Sequence, residues 1–277
     1  MRIKGLYFSI AKMKIIISSG GLGNQLFFYM FCKHIMNHSR ERVYVVYTWK
    51  GHNGYEVDKF FECEVKNISI IRRLVRALHR FRNKPLIREF FIYEDGAKGR
   101  LAFIYKGFFQ NKRYFEKDAI RFKNLKLSEK NQVISNKMLH GNSVAIHVRR
   151  GDYLSSYYKD WYCHLHETDY YQKAIEYVKD IYDDCTFYVF SDDIEWCKDN
   201  LAIDNASFID WNKGDDCIFD MYLMSQTKVN IIANSTFSFW GAYLNRNSKL
   251  SIYPLKWYAE GFHMENPDIF PDDWIGL

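Results

Sequence analysis

A largely parallel α/β fold in two halves is what this sequence predicts, and three observations carry the expectation. Short β-branched runs alternate with stretches of helical periodicity, the alternation runs through two cycles, and the chemically unusual clusters fall directly after the runs. Parallel sheets of this kind build their binding crevices at those strand ends. With 277 residues, 48% apolar and 26% charged, the chain can bury a substantial core in one large domain or two of ordinary size. The halves are placed at 1–138 and 139–277.

Residues 13–19 form the first β-branched run, stopped by Gly20-Gly21-Leu22-Gly23. An apolar-periodic helix follows, with Leu26, Phe27, Met30, Phe31 and Ile35 near one face. Residues 1–12 precede this first convincing element as an extension, either an extra strand or a disordered leader, and Met13 offers an alternative start. Residues 43–48 supply a second strand, and from 57 to 101 the pattern loosens into helices and loops expected to shape a pocket. In the second half, 143–148 read as a strand leading into Arg149-Arg150-Gly151-Asp152. Residues 168–182 follow as a helix with Tyr171, Ala174, Ile175 and Val178 on one face, and 186–190 as a strand ending at Ser191-Asp192-Asp193. A helix over 194–201, a strand over 207–209, a helix over 217–227 and a strand over 229–233 continue the alternation. A helix through Leu244 and a strand near 250–253 complete it. The C-terminal end has the option of packing back on the first domain.

Segment 70–88 has a character of its own. Ile70, Ile71, Leu74, Val75, Leu78 and Phe81 recur at helical spacing beside Arg72, Arg73, Arg76, Arg80, Arg82, Lys84 and Arg88, and Lys84-Pro85 ends the helix. Such a helix either packs in the domain with a solvated basic face, the favoured reading, or lies on an anionic membrane surface. A net charge of +6 favours anionic partners. No nucleic-acid module accompanies the charge, so no nucleic-acid partner is expected. The 21 Tyr, 22 Phe and 7 Trp suit flat amphipathic ligands such as sugars or bases, and suit core packing equally.

Six scattered cysteines without a C-x-x-C pair fit reduced thiols in a cytoplasmic protein. The Cys163-His164-Leu165-His166 cluster matches no common zinc spacing, and no metal site is expected there. No stretch approaches the roughly 20 apolar residues that span a bilayer. Asn-x-Ser/Thr matches at Asn37, Asn67, Asn205 and Asn234 are read as unmodified, because no secretory context accompanies them.

Gly20-Gly21-Leu22-Gly23-Asn24-Gln25 can bring backbone amides at a helix start close to an anion, although it matches neither a dinucleotide fingerprint nor a P-loop, and an ordinary tight turn explains it as well. Arg149 and Arg150 offer permanently charged planar forks suited to a diphosphate that gains charge as it leaves. One of the two is expected in a salt bridge with Asp152 and the other on phosphate. Asp192 and Asp193 can accept from a base or ribose, or one of them can cap a helix. Ser235, Thr236 and Ser238 give hydroxyls and amides at another helix start, suited to phosphate or to capping. The chain has no Asp-x-Asp pair, so the usual acidic bridge to a metal-bound diphosphate is missing and the arginines must neutralise the leaving group without a divalent ion.

These residues strongly resemble the bacterial-type α-1,2-fucosyltransferases of glycosyltransferase family 11. The pieces are GGLGNQLFFYM (20–30), HVRRGDY (147–153), FSDD (190–193) and NSTFSFWGAYL (234–244), in family order across most of the chain. The histidine–double-arginine motif occurs in other fucosyltransferases too, so specificity comes from the combination. The resemblance implies a GT-B-like pair of Rossmann-type domains facing across a cleft, the first on the acceptor side and the second binding GDP-fucose. It implies inverting transfer of L-fucose to the 2-hydroxyl of a terminal β-galactoside in an oligosaccharide or glycan repeat unit. Arg149 then resembles the β-phosphate ligand, with Arg150 orienting the loop. His147, Asp192 and Asp193 resemble the group facing guanine and ribose, and Ser235, Thr236, Phe237 and Ser238 the phosphate loop. Gly23, Asn24 and Gln25 are implied near the fucosyl diphosphate. Phe239 departs from the family's usual Trp.

The expected catalytic set is Arg149, Arg150 and Asp152, with Asp152 more a brace than a base, and no cofactor or metal. Another linkage, α-1,3 or α-1,6, from the same GDP-fucose site is the alternative enzyme. A nucleotide-sugar-binding or membrane-associated protein without turnover is the alternative of a different class. The expected location is cytoplasmic, with peripheral contact with the inner membrane face through 70–88 as an option.

Overall fold

The computed structural model describes residues 13–49 and 53–277; the expected extension over 1–12 lies outside them. The chain divides into two compact units, the first ending at Asn124 and the second beginning at Leu125. The boundary expected after residue 138 is thereby displaced. A helix over Glu129–His140 belongs to the second unit, where Met138 is fully buried and the Met138 carbonyl accepts from Ser143 Oγ at 2.6 Å.

The first unit runs β1 (Met13–Ser18), α1 (Leu22–His38), β2 (Arg42–Tyr47), α2 (Val57–Phe60), β3 (Lys66–Asn67), α3 (Arg72–Arg80), α4 (Pro85–Arg88), β4 (Phe91–Tyr93) and β5 (Ile104–Lys106). Its five strands pair in parallel in the order β3-β2-β1-β5-β4. Gly20 turns the chain from β1 into α1 at φ +82°, a conformation that disfavours a side chain. A Cβ there would also meet Asn24 Nδ2 at 2.7 Å. α1 is buried nearly all round, its Phe28, Tyr29 and Cys32 joining the face read from the sequence, because it lies under a sheet and an aromatic layer. Phe31 stacks on Phe109 at 3.9 Å between ring centroids.

The helix expected from residue 70 to a stop at Lys84-Pro85 is α3, which ends earlier, at Arg80, and Pro85 opens the separate short α4. Val75 is buried and Ile71 and Leu78 pack on the core of β1, so one face of the segment is held in the domain. Ile70, Leu74, Phe81 and Leu86 nevertheless stand exposed.

The second unit runs α5 (Glu129–His140), β6 (Ser143–Val148), α6 (Tyr170–Ile181), β7 (Thr186–Ser191), α7 (Ile194–Asn200), β8 (Ala206–Ile209), α8 (Ile218–Met224), β9 (Val229–Ile231), α9 (Thr236–Tyr243), β10 (Leu250–Tyr253) and β11 (Ile275–Gly276). All pairs are parallel, in the order β11-β10-β9-β6-β7-β8. Numbered within the unit this is the 3-2-1-4-5-6 order of a doubly wound sheet. Every residue of β6 is buried, as expected of a central strand covered on both faces. The C-terminal end forms β11, the edge strand of this sheet.

Candidate functional site

In a doubly wound sheet the chain departs in opposite directions from the two central strands, and the crevice left between their carboxyl ends receives ligands. Here those strands are β6 and β9. β6 delivers His147, Arg149 and Arg150, β9 delivers the 234–238 loop, and β7, on the other side of β6, delivers Asp192 and Asp193.

Two arginines and three carboxylates form one lattice at this point. Arg149 lies between Asp152, 2.7 Å from its Nη2, and Asp192, 2.9 Å from its Nη1. Burial works against the charge of Arg149, but Asp192 and Asp152 outweigh it and hold its pKa above the ordinary value. Arg150 donates from Nε to Asp193 at 3.0 Å and lies 4.2 Å over the Trp196 ring, and its backbone N–H donates to Asp192 at 2.9 Å. Asp193 also caps α7, accepting from Trp196 N.

Both arginines are therefore braced, where one had been expected free for phosphate. Asp192 and Asp193, expected beside guanine and ribose, spend their oxygens on Arg149, Arg150 and Trp196. The carboxylates are needed there because two adjacent guanidiniums repel and rotate unless anchored. Donors remain: two carboxylate partners leave Arg149 three of its five N–H groups, and Arg150 keeps both terminal nitrogens.

His147 is buried, 6% exposed, with its ring 6.0 Å from that of Phe237. Burial, and then the Arg149 charge, push its pKa down to about 4 against the pull of Asp192, so the imidazole is neutral near pH 7. It can offer one N–H and one lone pair but no charge. Tyr171 fixes its backbone by donating to the His147 carbonyl at 3.1 Å.

At the 234–238 loop, Ser235 caps α9 by accepting from Phe237 N at 3.3 Å. Ser238, expected on phosphate, is fully buried and donates to the Ala233 and Ser235 carbonyls. Its hydroxyl is structural; Thr236 and Phe237, both half-buried, are the side chains presented at the helix start.

In the first unit, Gln25 is likewise structural. It is fully buried, donates to the Gly20 and Gly54 carbonyls at 3.1 and 2.8 Å, and accepts from Glu56 N at 2.8 Å. Its role is to hold the glycine turn shut. Asn24 is half-buried and accepts from Gln110 Nε2 at 3.1 Å, and Gly23 is buried in the first turn of α1.

Sequence reasoning missed the supports. Asn234 donates to the carbonyls of Cys163 and Trp257 at 2.9 and 2.7 Å, stapling two loops to the end of β9. Tyr153 donates to the Asn234 carbonyl at 2.8 Å, and the Arg149 guanidinium lies 5.5 Å from its ring. Tyr153 and Asn234 stand inside two of the four quoted motifs, 147–153 and 234–244; Trp196 carries no sequence signal.

With this geometry in place, the family described as Glycosyl transferase family 11 matches residues 87–277. The α-1,2-colitosyltransferase of Escherichia coli is 33% identical over 96% of this chain and 99% of its own length. The galactoside α-(1,2)-fucosyltransferase 1 of Sus scrofa is 29% identical over 48% of this chain and 38% of its own. The structure of NodZ α-1,6-fucosyltransferase soaked with GDP-fucose superposes with a TM-score of 0.51, at 14% identity, over 84% of this chain and 93% of that one. That last likeness is one of fold, a GT-B-type pair of α/β units.

Proposed function

The chain belongs to glycosyl transferase family 11, and from that premise we propose that it moves L-fucose from GDP-fucose to the 2-hydroxyl of a terminal β-galactoside. The observation that carries this reading is the braced arginine pair at the β6–β9 crevice, sited where a nucleotide diphosphate would lie. Relatives named α-1,2-colitosyl- and galactoside α-(1,2)-fucosyltransferases support the linkage and the acceptor class.

In this mechanism the acceptor hydroxyl attacks the anomeric carbon with inversion as the bond to GDP breaks, through an oxocarbenium-like transition state. Charge accumulates on the β-phosphate. Arg149, its fork pre-aimed by Asp152 and Asp192, meets that charge without reorganising, and Arg150, flat against Trp196, holds the loop and assists. The N-terminus of α9, capped by Ser235, adds the positive end of the helix dipole. Neutral His147 and half-buried Thr236 and Phe237 complete the donor side. No divalent ion is needed at the diphosphate, since the charge is met by guanidinium and amide. Asp152 is a brace for Arg149, so it is not assigned as the base.

A second reading of the donor has support of its own, because the relative aligned over nearly the whole chain is a colitosyltransferase. Colitose lacks the 3-hydroxyl of fucose, so both fit one GDP site and differ by a single polar contact.

The protein is proposed to work in the cytoplasm against an anionic membrane face. Ile70, Leu74 and Leu86, 88%, 60% and 84% exposed, stand among Arg72, Arg73, Arg76, Arg80 and Arg88, a combination suited to acidic headgroups. No helix among the described residues is long and apolar enough to cross a membrane.

Incubation of each GDP-sugar with a panel of galactosides, with and without EDTA, tests the reading. The expected result is GDP release that resists EDTA and a product whose NMR shows an α-1,2 link. An α-1,3 or α-1,6 product, or binding without GDP release on any acceptor, would overturn it.

A further inference from the structure

The loop between β6 and α6 ends in a cluster that the proposed chemistry does not use, at the place where sequence spacing led to no metal site being expected: His166 and Glu167 on the short turn Leu165–Glu167, and His164 at its N-cap position. His164 Nδ1 and His166 Nε2 both lie 3.6 Å from one oxygen, Glu167 Oε1, and the three ligand atoms are mutually within 4.8 Å. We infer that His164, His166 and Glu167 form a site for one divalent transition-metal ion, Zn²⁺ by the chemistry of its ligands, with the fourth position open to water.

The spacing argues for an ion over a hydrogen bond. At 3.6 Å both N···O separations exceed hydrogen-bonding range. They agree instead with the edge of a tetrahedron drawn around an ion at bond lengths of about 2.1 Å, roughly 3.4 Å. Two imidazoles and one carboxylate suit zinc and its neighbours and do not suit magnesium or calcium, which take oxygen sets. A second group in the chain, His34, His38 and Glu116, makes the contrast: there His34 Nδ1 already sits 2.7 Å from Glu116 Oε1, a closed hydrogen bond that an ion would first have to break.

Burial adds to the case. The His166 side chain is 5% exposed and that of His164 20%, so both imidazoles are ordered before any ion arrives, while Glu167, 66% exposed, leaves an entry path from solvent. Asn234 anchors the residue just before the cluster through the Cys163 carbonyl. Preorganised ligands lose little entropy on binding.

The site would act by position. His166 meets Trp196 edge-on at 5.4 Å between ring centroids, and Trp196 carries Arg150 on its face. An ion there would steady His166 against the edge of the ring on which Arg150 rests and would supply no Lewis acid to the diphosphate; Asp193 holds Arg150 Nε at 3.0 Å without it, so transfer is still expected to resist EDTA.

The test is calorimetric titration of the metal-stripped full chain with Zn²⁺ alone, with Co²⁺ absorption as a second probe of four-coordinate geometry. Wild type is expected to bind an equivalent whose affinity falls about 100-fold in His164→Ala and in Glu167→Gln, and survives in His38→Ala. Glu167→Gln changes an exposed side chain and keeps its shape, so it separates ligand loss from misfolding; circular dichroism checks the fold of each variant. Absence of binding by wild type, unchanged binding by a folded His164→Ala or Glu167→Gln, or loss confined to His38→Ala would overturn the assignment. None of these readouts depends on the donor or acceptor, so failure here leaves the fucosyltransferase reading standing.

Discussion

Gly151→Ala perturbs the arginine lattice without removing any charged group. A Cβ on Gly151 would point at the Asp192 carboxylate, with Cγ 2.8 Å away and Oδ2 closer still, where 3.4 Å is the near edge of ordinary contact. The carboxylate must retreat by about 0.6 Å at Cγ and about 1 Å at Oδ2. That oxygen is the one 2.9 Å from Arg149 Nη1, so the retreat opens the pair and frees the Arg149 fork to turn toward Asp152 alone.

A misplacement of about 1 Å in a positioning group costs about 100-fold in rate, or about 2.7 kcal/mol at 1.36 kcal/mol per decade. The stability cost is smaller. Both side chains are about a quarter exposed, so the pair contributes about 1 kcal/mol after screening. For a unit of this size that lowers Tm by about 2–4 °C.

The assay is kcat/KM for the GDP-sugar donor together with calorimetric Kd for GDP, which needs no acceptor. Asp192→Ala should show a similar loss, and the double variant should be no worse than Asp192→Ala, because the group that clashes is gone. Gly151→Ala within twofold of wild type in both kcat/KM and Kd, or strict additivity in the double variant, would refute the reasoning.

Arg149→Ala removes the donor facing the departing diphosphate and is expected to lower turnover by about 10²–10³, or about 3–4 kcal/mol, with near-wild-type turnover sinking the assignment. Asp220 accepts from Asn212 at 2.8 Å in a buried setting that raises its pKa to about 7 from 3.8, burial being the main cause. Because the folded value is the higher one, stability is greatest below about pH 4 for this group and is lost as pH rises through about 7. Asp220→Asn should therefore stabilise the protein more at pH 8 than at pH 5, by about 2 kcal/mol in urea unfolding; an equal effect at both pH values would contradict it. Buried neutral His147 works the other way, its contribution being lost as pH falls from about 6.5 through about 4. In vesicle flotation the protein should prefer anionic over neutral membranes, and Ile70→Ser with Leu86→Ser should weaken that binding about tenfold; equal binding to both membranes would remove the contact.

Elements with strong periodicity were legible. The strand over Ser143–Val148 and the strand over Leu250–Tyr253 match the reading from sequence residue for residue, because a buried apolar run between turns leaves few alternatives. The three-residue strands β4 and β5 were not, since three residues are too few to show a period of two. α5 escaped for a different reason. Its buried positions are Asn131, Ser135 and Met138, so it has no apolar stripe, although Ser128 caps it by accepting from Asn131 N. Among site residues, Gln25 was implied by the family resemblance and Ser238 by its hydroxyl at a helix start, and the structure shows both side chains donating to backbone carbonyls.

What the sequence determined by itself is the alternation of strand and helix and the placing of each motif at a strand end, since both follow from local periodicity and from glycine, serine and aspartate at turns. Only the tertiary structure decided which carboxylate holds which arginine. Arg149 and Arg150 meet Asp192 and Asp193 more than forty residues away because β7 pairs beside β6 in register, Val148 opposite Ser191. The 234–238 loop reaches the same crevice because β9 pairs on the other side of β6. Such neighbours are set by parallel crossovers, whose order leaves no mark on local sequence.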